Sequence, residues 1–188
     1  MIKIGITGSI SSGKSTASKF LSGKKYPLFS ADKSVVNLYK KSFFKRKLIK
    51  KFNLDKNKNI KNQIKKLIVH DKKTIKELEK IVHPLVRKEM INFSKNKNFC
   101  KLVFFEVPLL VENKLSNFFD IVVFVNTHKE IRVKRFIKNG GNQKVFLILN
   151  KRQLSPSKKA QVSHHVINNN KSLKHLKNSV KNILNLYE

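Results

Sequence analysis

The chain is poor in several residue types, and each shortage excludes a class of protein. One cysteine in 188 residues, Cys100, excludes an intrachain disulfide framework and points to a reducing, cytoplasmic setting. Six glycines and four prolines exclude a collagen-like or Pro/Gly-rich disordered chain. No apolar run approaches the ~20 residues that span a bilayer, so no transmembrane helix and no membrane insertion are expected. Met1 to Thr7 leads straight into a glycine-serine loop, so no secretory signal is expected. Acidic residues are the scarcest of all relative to their counterparts: 11 Asp and Glu stand against 42 Lys and Arg, a net charge of +31.

That charge has two readings. It favours polyanionic partners, whether nucleic acid, anionic membrane or phosphorylated small molecules. It also accompanies heavy use of Lys, Asn, Ile and Phe, the signature of an AT-rich genome, and it is spread along the whole chain instead of forming one tail or stripe. Forty per cent of the residues are hydrophobic, 14 of them Phe. That is enough for the core of a single domain. Most Phe residues fall in strands or on apolar helix faces, not interleaved with Lys and Arg as a base-stacking surface requires. No specific nucleic-acid partner is therefore expected.

The order of segments is that of an α/β protein. Residues 2–7 are a short β-branched strand, and 14–21 turn helical with Ala17, Phe20 and Leu21 on one face. Residues 26–29 are a second strand, and Ala31 opens a helix to about Lys41. The stretch 43–99 reads as four Lys-rich amphipathic helices, at roughly 43–52, 60–69, 72–82 and 84–95, inserted between strands of one sheet. Strands return at 101–106, 120–125 and about 165–167. Helices fit 128–138, 142–152 and 171–187, and Asn139-Gly140-Gly141-Asn142 is a breaker. Strands alternating with helices predict parallel pairing with right-handed crossovers.

One motif carries chemistry. Gly8-Ser9-Ile10-Ser11-Ser12-Gly13-Lys14-Ser15 fits G-x-x-x-x-G-K-[ST], with Thr16 following. The glycines let the backbone curl so that successive N–H groups face phosphate oxygens, and the helix after the loop adds its positive end. In such a loop Lys14 reaches the outer phosphates and Ser15 offers its hydroxyl to Mg²⁺. The strand before the loop and the amphipathic helix after it make a nucleoside triphosphate, ATP with Mg²⁺, the expected ligand. An acidic residue at the carboxyl end of a neighbouring strand usually assists the metal. Glu106 and Asp32 both stand in such positions, whereas Asp120 begins its strand.

Beyond the loop, Ser30-Ala31-Asp32, His83-Pro84-Leu85, Pro108-Leu109-Leu110-Val111-Glu112 and Val166-Ile167-Asn168-Asn169 occur in an order that resembles the dephospho-coenzyme A kinases over essentially the whole chain. The resemblance implies a three-layer P-loop kinase fold: a five-stranded parallel sheet, a helical acceptor-binding insertion and a small lid. It divides this single kinase domain into a core (1–31, 100–127 and 160–188), an acceptor-binding region (32–99) and a lid (128–159). It implies transfer of the γ-phosphoryl of ATP to the ribose 3′-hydroxyl of dephospho-coenzyme A, the last step of coenzyme A synthesis, by a monomer or weak homo-oligomer. Carried over by residue, Ser11, Ser12, Gly13, Lys14, Ser15 and Thr16 hold the ATP phosphates. Asp32 matches the acid proposed to receive the hydroxyl proton, and Arg135 the lid-side arginine that stabilises the moving phosphoryl group, with Lys138 and Arg152 weaker candidates. His83, Pro108, Leu109 and Glu112 belong with the acceptor. Asn169 lies near the adenine pocket, where its amide pairs with a base edge or caps the last helix. Glu112 has a second reading as an acid near a helix N-terminus, and His83 as a helix-start residue beside Pro84.

The chain departs from the family pattern at several points. Ser30 replaces a first aspartate, Val36 a basic residue, Asn139 a lid arginine, and Ser163-His164 an Ala-Asp pair. Ser9 and Ser11 stand where glycines are usual. His164-His165 has no carboxylate or cysteine cluster for a metal, so surface or strand-edge histidines are expected. Two alternatives remain open at this stage: another P-loop kinase of a nucleoside or nucleotide, and a basic nucleic-acid-binding ATPase.

Overall fold

A computed structural model describes residues 1–71 and 73–188. The described residues divide into two compact units: residues 1–30 with 94–188, and residues 31–93.

The first unit is built on five parallel strands: β1 (Ile2–Gly8), β2 (Leu28–Ser30), β3 (Leu102–Glu106), β4 (Ile121–Asn126) and β5 (His165–Asn168), in the order β2-β3-β1-β4-β5. The expected α/β fold with a five-stranded parallel sheet therefore forms. β1 is central because Ile4 and Ile6 face one apolar layer while every residue from Ile4 to Gly8 is buried, and only a strand covered on both faces tolerates that. Its register sets Ile6 beside Glu106 and Gly8 beside Val125. The chain leaves β1 for strands on both sides of it, so the loop after β1 opens at the point where ligands gather in such sheets.

Helix α1 (Lys14–Ser22) and the last helix (Leu173–Leu184) cover one face, with Ala17, Leu21, Leu176 and Val180 packed on Ile4, Phe104 and Val123. On the other face Phe105 meets Phe29, Phe118 and Phe119 at ring separations of 6.0, 5.8 and 5.5 Å. These phenylalanines serve the core, as their positions in the sequence suggested, whereas Phe43 and Phe99 are exposed. The last helix starts two residues later than expected because Ser172 caps it, accepting from the N–H of His175 at 3.3 Å.

The second unit is helical: α2 (Ala31–Leu38), α3 (Ser42–Phe52), α4 (Ile60–His70) and α5, which begins at Lys73 and runs to Asn96. Leu38, Phe44, Leu48, Leu54, Ile64 and Ile81 form its core. The separate helices expected at 72–82 and 84–95 are one continuous helix through Pro84; the expected start at Lys72 lies outside the described residues. Proline costs an interior helix about 3 kcal/mol, partly because one carbonyl loses its partner. Here that carbonyl belongs to Lys80, an exposed residue, while Ile81, Val82 and Met90 stay buried on the other side. His83 therefore sits in mid-helix and not at a helix start. Helix α2 ends at Leu38, short of the expected Lys41.

Further helices of the first unit follow β4. They are α6 (Lys129–Lys138), α7 (Gln143–Lys151), α8 (Pro156–Gln161) and, after β5, the helix already described, α9. Helix α8 was not expected, although Ser155 as N-cap and Pro156 at the first position signal it.

β5 is an edge strand, and His165 at its start and His164 just before it both make hydrogen bonds within the fold. His164 Nδ1 accepts from the N–H of Val122 at 3.0 Å, and His165 Nε2 lies 2.5 Å from the Tyr187 hydroxyl. Among the described residues no cluster of three His, Cys, Asp or Glu is arranged for a metal. Burial, and then the neighbouring His164, hold the pKa of His165 below its ordinary 6.5. The unfolded chain takes up that proton more readily, so this contribution to stability is complete above pH 6.5 and is lost as pH falls through the lower folded value. Thermal melts are expected to show Tm falling with acidification below pH 6.5, with a shallower slope in His165→Gln. An unchanged slope in the variant would assign the effect to another group.

Candidate active site

The loop between β1 and α1 carries the chemistry, and its shape depends on two residues with left-handed backbone. Gly13 has φ +85° and Ser11 has φ +57°. At Gly13 only glycine fits: a Cβ would lie 2.3 Å from Asn169 Nδ2. At Ser11 a side chain occupies a conformation that costs a non-glycine residue about 1–2 kcal/mol. This is one of the positions where glycine is usual, so the departure seen in the sequence has a structural consequence.

The loop is gripped from several sides. The Ser12 carbonyl accepts from Asn169 Nδ2 at 2.8 Å, from the Thr127 hydroxyl at 2.9 Å and from Arg135 Nη1 at 3.4 Å. Arg135 Nη2 also donates to the Asn169 carbonyl at 3.2 Å. Asn169 is buried and uses its amide on the loop; the cap of α9 is Ser172. The capping reading of Asn169 is thus corrected. Two residues before Ser12, the N–H of Ile10 donates to Gln153 Oε1 at 2.8 Å, and the Ile10 carbonyl lies 3.5 Å from Arg132 Nη1.

At the start of α1 two groups converge on one carboxylate. Glu106 Oε1 accepts from the Ser15 hydroxyl, and Lys14 Nζ lies 3.3 Å from the same oxygen. Glu106 is buried at the carboxyl end of β3, where the register with β1 places it beside Ile6. Of the two acids weighed as metal partners, Glu106 is the one set against Ser15 within this unit.

The surrounding charges are mostly positive and mostly buried. Arg132 donates to the Thr127 carbonyl at 3.1 Å and to Asn150 Oδ1 at 2.8 Å, and lies over the Phe146 ring. These hydrogen bonds run to neutral oxygens, and burial lowers its pKa. Lys159 is fully buried 2.8 Å from Glu112 Oε1. Burial lowers its pKa most; Glu112 opposes that, and the charges of Lys14 and Arg132 add to it. Glu112 Oε1 also accepts from the N–H of Leu154 at 3.0 Å. Its segment is a run of turns, with Asn113 N–H bonded to the Leu109 carbonyl and Lys114 at φ +53°, so the reading of Glu112 as a helix N-terminal acid does not hold. A hydroxyl–carbonyl bond of 3.2 Å from Thr7 ties β1 to Pro108.

The structure thus brings Ser11 to Thr16, Asn169 and Arg135 together, with Leu109 half-buried in the turns that follow Pro108. Lys138 and Arg152 are exposed at the ends of α6 and α7. Asp32 and His83 belong to the helical unit. Asp32 is exposed in the first turn of α2, and His83 lines a groove of about 390 Å³ on α5 with Pro84, Arg87, Lys88, Ile91 and Asn92. Sequence reasoning missed Thr127, Arg132, Gln153 and Lys159. Nothing local marks Arg132 or Lys159 among 42 cations, and only the fold brings Gln153, 143 positions away, to Ile10.

The residues fit a triphosphate. Backbone N–H groups follow a strand into a helix N-terminus, glycine allows close approach, and the cations outnumber the two carboxylates among them. The oxygens of Ser15 and Glu106 suit a hard cation such as Mg²⁺. No helix among the described residues is long and apolar enough to cross a membrane.

Comparison with known proteins agrees with this geometry. A family model described as dephospho-CoA kinase matches residues 2–175. A dephospho-CoA kinase of Fusobacterium nucleatum is 34% identical over 181 residues, which cover 92% of each chain. The crystal structure of TT1252 from Thermus thermophilus superposes with a TM-score of 0.83 at 27% identity, over 100% of this chain and 98% of that one. Dephospho-CoA kinase from Campylobacter jejuni shares the fold, with a TM-score of 0.69 at 22% identity over 97% and 95% of the two chains.

Proposed function

The chain belongs to the dephospho-CoA kinase family, and from that premise we propose that it moves the γ-phosphoryl group of ATP to the ribose 3′-hydroxyl of dephospho-coenzyme A, giving coenzyme A and ADP in the cytoplasm. The observation that carries the reading is the coincidence of a family match over nearly the whole chain with a phosphate loop whose Ser15 and Lys14 converge on Glu106.

The chain's residues divide the work as follows. The backbone of Ser11 to Thr16 holds the β- and γ-phosphates. Lys14 leaves Glu106 for the γ-phosphate, and Arg135, anchored beside Ser12, faces the charge that spreads over the transferring group. Bound Mg²⁺ would be held by Ser15 and, directly or through water, by Glu106; it supplies neutralisation of phosphate charge. Asp32 orients the acceptor hydroxyl and takes its proton as the new O–P bond forms and the bond to the β-phosphate oxygen breaks. Residues 32–99, with His83, carry the acceptor, and Pro108, Leu109 and Glu112 wall its site. Residues 128–159 act as the lid that keeps water from the γ-phosphoryl group.

The test is ADP release with Mg·ATP, with and without dephospho-coenzyme A, and the mass of the product. Release that requires the acceptor, with a product one phosphoryl group heavier, is expected. ATP binding without acceptor dependence would leave the phosphate loop standing and overturn the acceptor, and a screen of nucleosides and nucleotides would follow.

A further inference from the structure

Ser11 is the least comfortable residue of the phosphate loop, a serine held at φ +57°. Such a conformation persists only where the surroundings over-determine it. The constraints lie on either side of it. After Ser11, the Ser12 carbonyl is gripped by Asn169, Thr127 and Arg135. Before it, the Ile10 N–H is held by one good hydrogen bond, 2.8 Å to Gln153 Oε1; the contact from Arg132 to the Ile10 carbonyl is long at 3.5 Å. The backbone closes the turn itself, the Ser12 N–H donating to the Ser9 carbonyl at 3.1 Å; of the side chains that reach the upstream half of that turn, Gln153 makes the shorter hydrogen bond.

That side chain is itself fixed. Gln153 is half-buried just after α7, and the next residue, Leu154, donates its N–H to Glu112 Oε1 at 3.0 Å. The same oxygen pairs with the fully buried Lys159. The backbone carrying Gln153 is thus pinned to the turn that follows β3, and its amide oxygen reaches a defined point on the loop.

We propose that Gln153 is a positioning residue for ATP binding: by holding the Ile10 N–H it keeps Ser11 left-handed, and so keeps the N–H groups of residues 11–16 converged on the phosphates. It touches no reacting atom. The role matters because this chain has serine where a glycine would hold the conformation unaided. The proposal rests on the reading of residues 8–16 as the ATP phosphate cradle.

A double-mutant cycle tests it, read as the Kd of ATP by calorimetry without acceptor. Gln153→Leu is expected to weaken ATP about tenfold, and Gln153→Glu, which retains an acceptor oxygen, to stay within threefold of the parent. In a Ser11→Gly background, where no strain needs holding, Gln153→Leu is expected to cost less than threefold. KM for dephospho-coenzyme A should be unchanged in all variants. A Gln153→Leu Kd within twofold of the parent overturns the proposal. An equal loss with and without the Ser11→Gly substitution overturns it too, because it would mark Gln153 as general packing. Thermal melts of the unliganded variants confirm that folded protein is compared. A parent that does not bind ATP would instead sink the reading of the cradle, so the two failures are distinct.

Discussion

An Asp32→Asn enzyme is expected to bind ATP as the parent does and to turn over at least a hundredfold more slowly. The size follows from the role: a positioned base contributes about 10²–10⁴ to a rate. Asparagine preserves shape and one oxygen but cannot take a proton. Asp32 stands two residues after the end of β2, in the first turn of α2, where the helix N-terminus favours a negative charge. Ser30 replaces a first aspartate, so a second carboxylate is not at hand two residues earlier to substitute for it. ATP binding should survive because residues 8–16 and the side chains that grip them are untouched. The check is kcat from ADP release beside the Kd of ATP. Turnover within tenfold of the parent would mean that phosphoryl transfer proceeds without a base at this position, as a loose transition state permits.

The sheet was legible because its strands are nearly continuous apolar runs. Leu102 to Phe105 and Ile121 to Val125 have few other ways to bury themselves, and their boundaries differ from expectation by a residue. The order of strands was not legible, since pairing of β1 with both β3 and β4 depends on crossovers that no local pattern records. Pro84 misled for a specific reason. Proline reads as a stop in a local rule, but the burial of Ile81, Val82 and Met90 along one face continues across it. Helix α8 is the opposite case: Ser155-Pro156 is a start signal whose short length hid it among lysines.

The site was legible where one stretch of chain makes it. Gly8 to Thr16 announces its own function because a phosphate cradle is built from consecutive backbone groups. What supports the cradle was not legible. Thr127, Arg132, Gln153 and Asn169 reach residues 10–12 from more than a hundred positions away. Among these only Asn169 was singled out, and its amide proved to be engaged with the Ser12 carbonyl. Glu106 was weighed as a metal partner from its place at a strand end. Its contact with Ser15 and Lys14 follows from the register of β3 on β1, which the sequence does not record.

Lys14→Ala is expected to reduce kcat/KM for ATP by two to three orders of magnitude, comparable to the loss of one fixed donor aimed at developing charge. It carries a second effect that has to be separated. Glu106 is buried, and without the ammonium it keeps only the Ser15 hydroxyl as a partner shown here. Removing one member of a buried pair costs about 3–5 kcal/mol, more than the pair itself contributes. A lower Tm would therefore accompany the loss of activity and invite the view that the variant is simply misfolded. Lys14→Ala/Glu106→Gln resolves this. Neutralising the orphaned carboxylate is expected to recover most of the lost Tm. It should recover none of the activity, because the cation for the γ-phosphate is still missing and the acid set against Ser15 has gone too. Recovery of activity along with stability would place Lys14 among the groups that hold the fold and not among those that handle phosphate. Recovery of neither would show that Glu106 is not the group destabilised when Lys14 is removed.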